Sequence, residues 1–206
     1  MRLVSPSSHR TCVPLRIIDG EGAPGAWLGG RPPRGVIPPT SVSSLRYFGT
    51  VPLSIEPELC VSIFVADLEP LMGVRGRINE VGLLHPIVHP PVPRELGVSP
   101  FDSVLSEHSL MLLEPTEDWV EDDDGQQVIR PEHKIGGRPH LVREQPALLA
   151  SVDDVRKKGY LLIAQFDFPS GEDAVVSGDW PFADGILTLF GREPFGERDW
   201  CWYWDF

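Results

Sequence analysis

The chain has 206 residues, 41% of them apolar, which is enough to bury a core and too apolar for a disordered chain. Its formal net charge is −12, from 30 acidic against 18 basic residues, which disfavours nucleic acid and anionic membrane surfaces because both select for Lys and Arg. The 22 prolines and 20 glycines suit short strands joined by turns better than helices.

The charge is uneven along the chain. Residues 1–100 hold 8 acids and 9 arginines, a balance of +1, whereas residues 101–206 hold 22 acids and 9 bases, a balance of −13. An acidic half of this kind suits a basic protein partner, since opposite fields steer encounter. Cys12, Cys60 and Cys201 are odd in number and widely spaced, and are expected as reduced thiols in a cytoplasmic protein. Residues 1–12 have no apolar stretch of the signal-peptide kind, and no apolar run approaches the about 20 residues a membrane helix needs.

In chain order, residues 13–18 predict an opening strand and residues 20–25 a turn. Residues 61–68 are β-branched and aromatic and predict a buried strand, and residues 83–90 an extended segment in which each proline pushes its predecessor out of the helical region. Residues 109–113 predict another strand, and 117–125 an acidic loop around Trp119. Residues 151–158 predict a short helix capped by Ser151 and stopped by Gly159. Strands follow at 160–168 and 185–190. The last seven residues predict an aromatic strand with Trp200, Trp202 and Trp204 on one face and Cys201 and Tyr203 on the other.

Two segments recur in the same order. Leu28-Gly29-Gly30-Arg31-Pro32 matches Ile135-Gly136-Gly137-Arg138-Pro139, and the strand at 63–68 (IFVADL) matches 163–168 (IAQFDF). The offsets, 107 and 100 residues, differ by seven. The pattern predicts a single domain over 1–206 with an internal duplication, the first half about 13–116 and the second about 126–206. Two related β-rich halves of this kind pack about a pseudo-two-fold axis.

His133-Lys134-Ile135-Gly136-Gly137-Arg138-Pro139, then Gln165-Phe166-Asp167, Gly178-Asp179 and Tyr203-Trp204-Asp205 resemble the second half of the YwqG-like family, bacterial proteins of largely unknown function. The sequence departs from that pattern at Arg138, where an aromatic is common. The resemblance implies an α+β, strand-dominated fold with internal pseudo-symmetry and carries no active site. It also implies an association with toxin-neutralising immunity proteins.

Candidate chemistry is sparse. The two Gly-Gly-Arg-Pro turns read first as structural, because paired glycines accept positive φ and proline stiffens the exit. His85 and His89, with Glu107 and His108 close in sequence, read as edge or loop histidines, and no metal is expected. The run after Asp118 fails as a calcium loop: with Gly125 in the glycine position, Val120 and Pro131 fall where acids are required. There is no nucleophile elbow. No catalytic residue and no cofactor is therefore expected.

Two functional readings follow. The favoured one is a non-enzymatic, immunity-type protein that neutralises a basic toxin or effector by direct binding. Its contact surface would be Glu117, Asp118, Trp119, Glu121, Asp122, Asp123 and Asp124, an aromatic anchor among acids. The alternative is an enzyme or a small-ligand or metal-binding protein with a cleft between the halves, lined by Arg31, Asp67, Arg138 and Asp167.

Overall fold

The computed structural model describes residues 11–38, 45–56, 58–66, 78–80, 84–93, 103, 105–121, 124–130, 132–141, 146–167 and 185–205. In chain order its elements are β1 (Thr11–Ile18), β2 (Trp27–Leu28), β3 (Arg46–Pro52), β4 (Cys60–Val65), β5 (Ile78–Glu80), β6 (Leu84–His89) and β7 (His108–Leu112). They continue with β8 (Thr116–Glu117), β9 (Trp119–Glu121), β10 (Gln127–Ile129), β11 (Lys134–Ile135), α1 (Pro146–Lys157), β12 (Leu161–Phe166), β13 (Ile186–Gly191) and β14 (Trp200–Asp205). The architecture is strand-dominated, with one short helix among the described residues.

Eleven strands form one antiparallel path, β5-β14-β13-β12-β11-β1-β7-β2-β3-β4-β6, and β8 joins it by pairing with the start of β1. The N-terminal strand therefore lies mid-sheet. Val13 pairs with Ile135 of β11 on one side, and Leu15 pairs with Leu112 of β7 on the other. β9 and β10 form a separate two-stranded hairpin.

The sheet bends back over its own core. β3 and β12 lie five places apart in the strand order, yet Phe48 and Phe166 meet edge to face with centroids 5.2 Å apart. A bulge between Tyr47 and Gly49 turns Phe48 inward while Tyr47 packs outward with Phe64. The inner face gathers Val13, Leu28, Ile63, Ile163 and Leu189 with Trp200, Trp202 and Trp204 of the last strand. Cys201 and Tyr203 fall on the opposite face, as strand alternation requires.

That opposite face is covered by α1, whose Leu148 and Val155 pack on Leu162, Phe190 and Tyr203. The helix differs from the sequence expectation at its start. It begins at Pro146, where a missing N–H is harmless, so Ser151 lies inside the helix and does not cap it. It stops as expected at Gly159, which has φ of 85° and donates to Arg156 O while Tyr160 N donates to Val155 O.

The duplicated segments part company in position. Both turns place two successive glycines at positive φ, 62° and 65° at Gly29 and Gly30, 70° and 81° at Gly136 and Gly137. The matched strands do not correspond in the same way. β12 lies directly beside β11, whereas β4 lies two places from β2, with β3 between them.

The shared core sets an expected outcome. Phe166→Ala should lower unfolding free energy by about 3–5 kcal/mol. A double-mutant cycle with Phe48→Ala, measured by chemical denaturation, should return a coupling of about 1 kcal/mol. Strict additivity would contradict a core shared across the fold of the sheet.

Candidate functional site

β11 is a two-residue strand between β1 and β12, and its two side chains point to opposite faces. Ile135 enters the core. Lys134 points the other way, fully buried, and its register partner on β12 is Gln165, also fully buried. A buried ammonium needs an anion. Asp118, in the bend between β8 and β9, supplies it: Lys134 Nζ donates to Asp118 Oδ1 at 2.7 Å, with both side chains at 0% exposure. Lys134 Nζ also donates to Arg130 O at 2.8 Å. Burial pulls the Lys134 ammonium below its ordinary pKa, and the Asp118 carboxylate opposes that shift.

The second carboxylate oxygen explains the Gly-Gly-Arg-Pro turn. Asp118 Oδ2 accepts the backbone N–H of Arg138, and a Cβ on Gly137 would collide with that carboxylate. Gly137 is thus required both for its positive φ and for the close approach of Asp118. Gln165 ties the next layer: its Oε1 accepts His140 N at 2.8 Å, and its Nε2 reaches Arg130 O and Glu132 O at 3.4 and 3.3 Å. His133 Nδ1 accepts the Asp167 N–H at 3.1 Å. Burial drives the His133 pKa down from 6.5 to about 4. His133, Lys134, Arg138, Gln165 and Asp167 therefore share one hydrogen-bonded knot.

Asp118 is accordingly not a surface carboxylate. The sequence pattern places it among the acidic contact residues, but the chain turns it inward between exposed Glu117 and half-buried Trp119. Glu121 and Asp124 are exposed on the β9–β10 hairpin, and Asp122 and Asp123 lie outside the described residues. Trp119 does not stand alone on that hairpin. The Arg138 guanidinium stacks over its ring, 5.4 Å from the centroid.

Glu117, Trp119, Gln127 and Arg138 together line a surface recess of ≈ 350 Å³. Residues considered for two separate sites, Arg138 for a cleft and Glu117 and Trp119 for a contact loop, thus share one. The other cleft residues sit elsewhere. Arg31 is exposed beyond β2, with its carbonyl accepting from Trp27 Nε1. Asp167 follows β12 beside His133. Asp67 lies outside the described residues. Gln127 was missed by sequence reasoning; it enters only because β10 pairs with β9.

The remaining candidates have structural surroundings. His89, on edge strand β6, donates from Nδ1 to Pro90 O at 2.7 Å, so its Nε2 accepts from Ser62 Oγ at 2.8 Å. Ser62, Thr50 and Tyr47 complete that hydroxyl chain, all fully buried. His108 bonds Ser106. Cys12, Cys60 and Cys201 are buried, and none is in a disulfide among the described residues. Burial, reinforced by Asp118, pushes the Cys12 thiol up to about 12, and burial alone pushes Cys60 to about 11, so neither is poised as a nucleophile. Among the described residues, no helix is long and apolar enough to cross a membrane. Comparison with protein-family models, with curated proteins and with solved structures finds no match.

Two outcomes follow from the knot. Asp118→Asn or Lys134→Met alone should destabilise by about 3–5 kcal/mol, because each strands a buried partner, while Asp118→Leu with Lys134→Met should cost less than the sum. Equilibrium denaturation of the three variants decides this.

The second outcome concerns His133. The unfolded chain protonates it near 6.5 and the folded chain only near 4. Between those values the unfolded state holds more protons, so stability falls as pH falls, by up to about 3 kcal/mol once pH is below 4. His89 shifts in the same direction. The readout is therefore the difference between wild type and His133→Asn, whose stability should vary less across that window.

Proposed function

We propose that this chain is a non-enzymatic, immunity-type protein that binds and neutralises a basic toxin or effector, and that the β9–β10 hairpin with the adjoining recess is its contact surface. One observation carries the reading. The hairpin is a two-stranded sheet apart from the main one, its exposed Glu121 and Asp124 and half-buried Trp119 rooted on the buried Asp118–Lys134 pair. An aromatic anchor that shares its recess with Glu117 and its hairpin with the exposed Glu121 and Asp124 suits a hot spot for Lys and Arg of a partner. The contact set loses Asp118, which is buried, and gains Gln127 and Arg138.

The two-halves reading belongs to the same proposal. The strand order is compatible with it when β1 and β7 are taken as the central pair, since β11-β12-β13-β14 extends from one and β2-β3-β4-β6 from the other. Both the β3–β4 and the β12–β13 pairings carry a register shift near one end. A YwqG-like ancestry and a cytoplasmic location fit this reading as well.

The test uses the full chain as bait in extract from its own organism, beside a Glu121→Lys/Asp124→Lys variant, at low and high salt. A basic protein retained by wild type, weakened by salt and lost with the variant is the expected result. Its affinity should fall by about tenfold or more in the variant, with a shallower salt dependence. Equal retention by both baits, or a partner whose binding ignores salt, would count against the hairpin.

A further inference from the structure

Arg138 is half-buried and its backbone is fixed by Asp118, yet among the described residues its guanidinium has no hydrogen bond or ion pair. Its Nε is enclosed without an acceptor. Buried polar groups are ordinarily satisfied, and charged ones strongly so. The stack on Trp119 positions the guanidinium without supplying an acceptor. Glu117, of opposite charge, lines the same recess, but no ion pair joins the two. The Gln127 amide lines it as well, and it too has no side-chain partner among the described residues.

We propose that this recess binds an α-amino carboxylate, its carboxylate on the Arg138 guanidinium and its α-nitrogen on the Glu117 carboxylate. The walls offer one cation and one anion that leave each other unpaired, and the ≈ 350 Å³ between them suits a group the size of one amino acid. Charge decides against a bare anion. With a net charge of −12 and Glu117 on the recess wall, an anion is repelled, whereas a zwitterion carries no net charge into that field. The ligand class is therefore a free amino acid, whose α-ammonium faces Glu117; a peptide C-terminus, whose nitrogen is an amide, would bring the disfavoured bare anion. The inference rests on the recess and not on the exposed acids of the hairpin, so it stands or falls separately from the basic-partner reading.

The test follows the Trp119 indole N–H resonance, assigned with Trp119→Phe, while leucine, N-acetylleucine or leucinamide is added to the full chain. Leucine should shift the resonance saturably, and leucinamide, which lacks the carboxylate, should not. Arg138→Gln should weaken leucine binding by about tenfold or more. Glu117 is exposed, so Glu117→Gln leaves the fold untouched; it should remove any advantage of leucine over N-acetylleucine. N-acetylleucine, a net anion without an α-ammonium, should bind more weakly than leucine in wild type; binding as well as or better than leucine would overturn the proposal. No saturable shift with any probe in the millimolar range would overturn the proposal. So would leucinamide matching leucine, or unchanged affinity in a folded Arg138→Gln.

Discussion

The buried pair of Asp118 and Lys134 is the constraint on which the segment from β8 to β12 is organised. Two charges at zero exposure are tolerated only when every remaining donor and acceptor finds a partner. Asp118 accepts from Lys134 and from the Arg138 amide, and Lys134 donates again to Arg130 O. Each bond dictates a residue nearby. The carboxylate leaves no room for a Cβ at position 137, so that position is glycine. Burial, and the carboxylate after it, raise the thiol of Cys12, which stays protonated beside it. The pair holds the β8–β10 segment onto the sheet, and the recess exists because that segment is held there.

The central place of β1 explains how the pair connects to the rest of the fold. β1 joins β11 to β7, and its first residues also pair with β8. The strand therefore fixes the chain on both sides of Asp118: β8 directly before it, and β11, which carries Lys134, after it. The bending of the sheet then puts Phe166, which immediately precedes the Asp167 that donates to His133, against Phe48 from the far run of strands. The site is thus anchored on one face of a sheet whose other face is the common core.

Much of the strand content was legible from the sequence because buried strands are written in β-branched and aromatic runs. β4, β12, β13 and β14 coincide with such runs, β1 and β7 with apolar stretches, and β6 with a segment its prolines hold extended, while the alternation of Trp200, Cys201, Trp202, Tyr203 and Trp204 predicts the two faces of the last strand. β3 was not legible, since Gly49 and Pro52 weaken its local signal and a bulge breaks its period. The two-residue strands β2, β8 and β11 are too short for any periodicity. Their pairing comes from the neighbours on either side.

The sequence by itself determined the acidic charge, the strand-rich composition, and the need for glycine at the Gly-Gly turns, because these depend on side-chain chemistry and local backbone preference. Only the tertiary structure decided what the acidic run is. Six acids and a tryptophan in nine residues read as one acidic contact loop. The fold divides them into an exposed Glu117, Glu121 and Asp124, a buried Asp118, and a Trp119 stacked under Arg138. Burial is set by what covers a side chain, and Asp118 is covered by residues of β1 and β11, which stand more than a hundred places before it and 16 places after it in the chain.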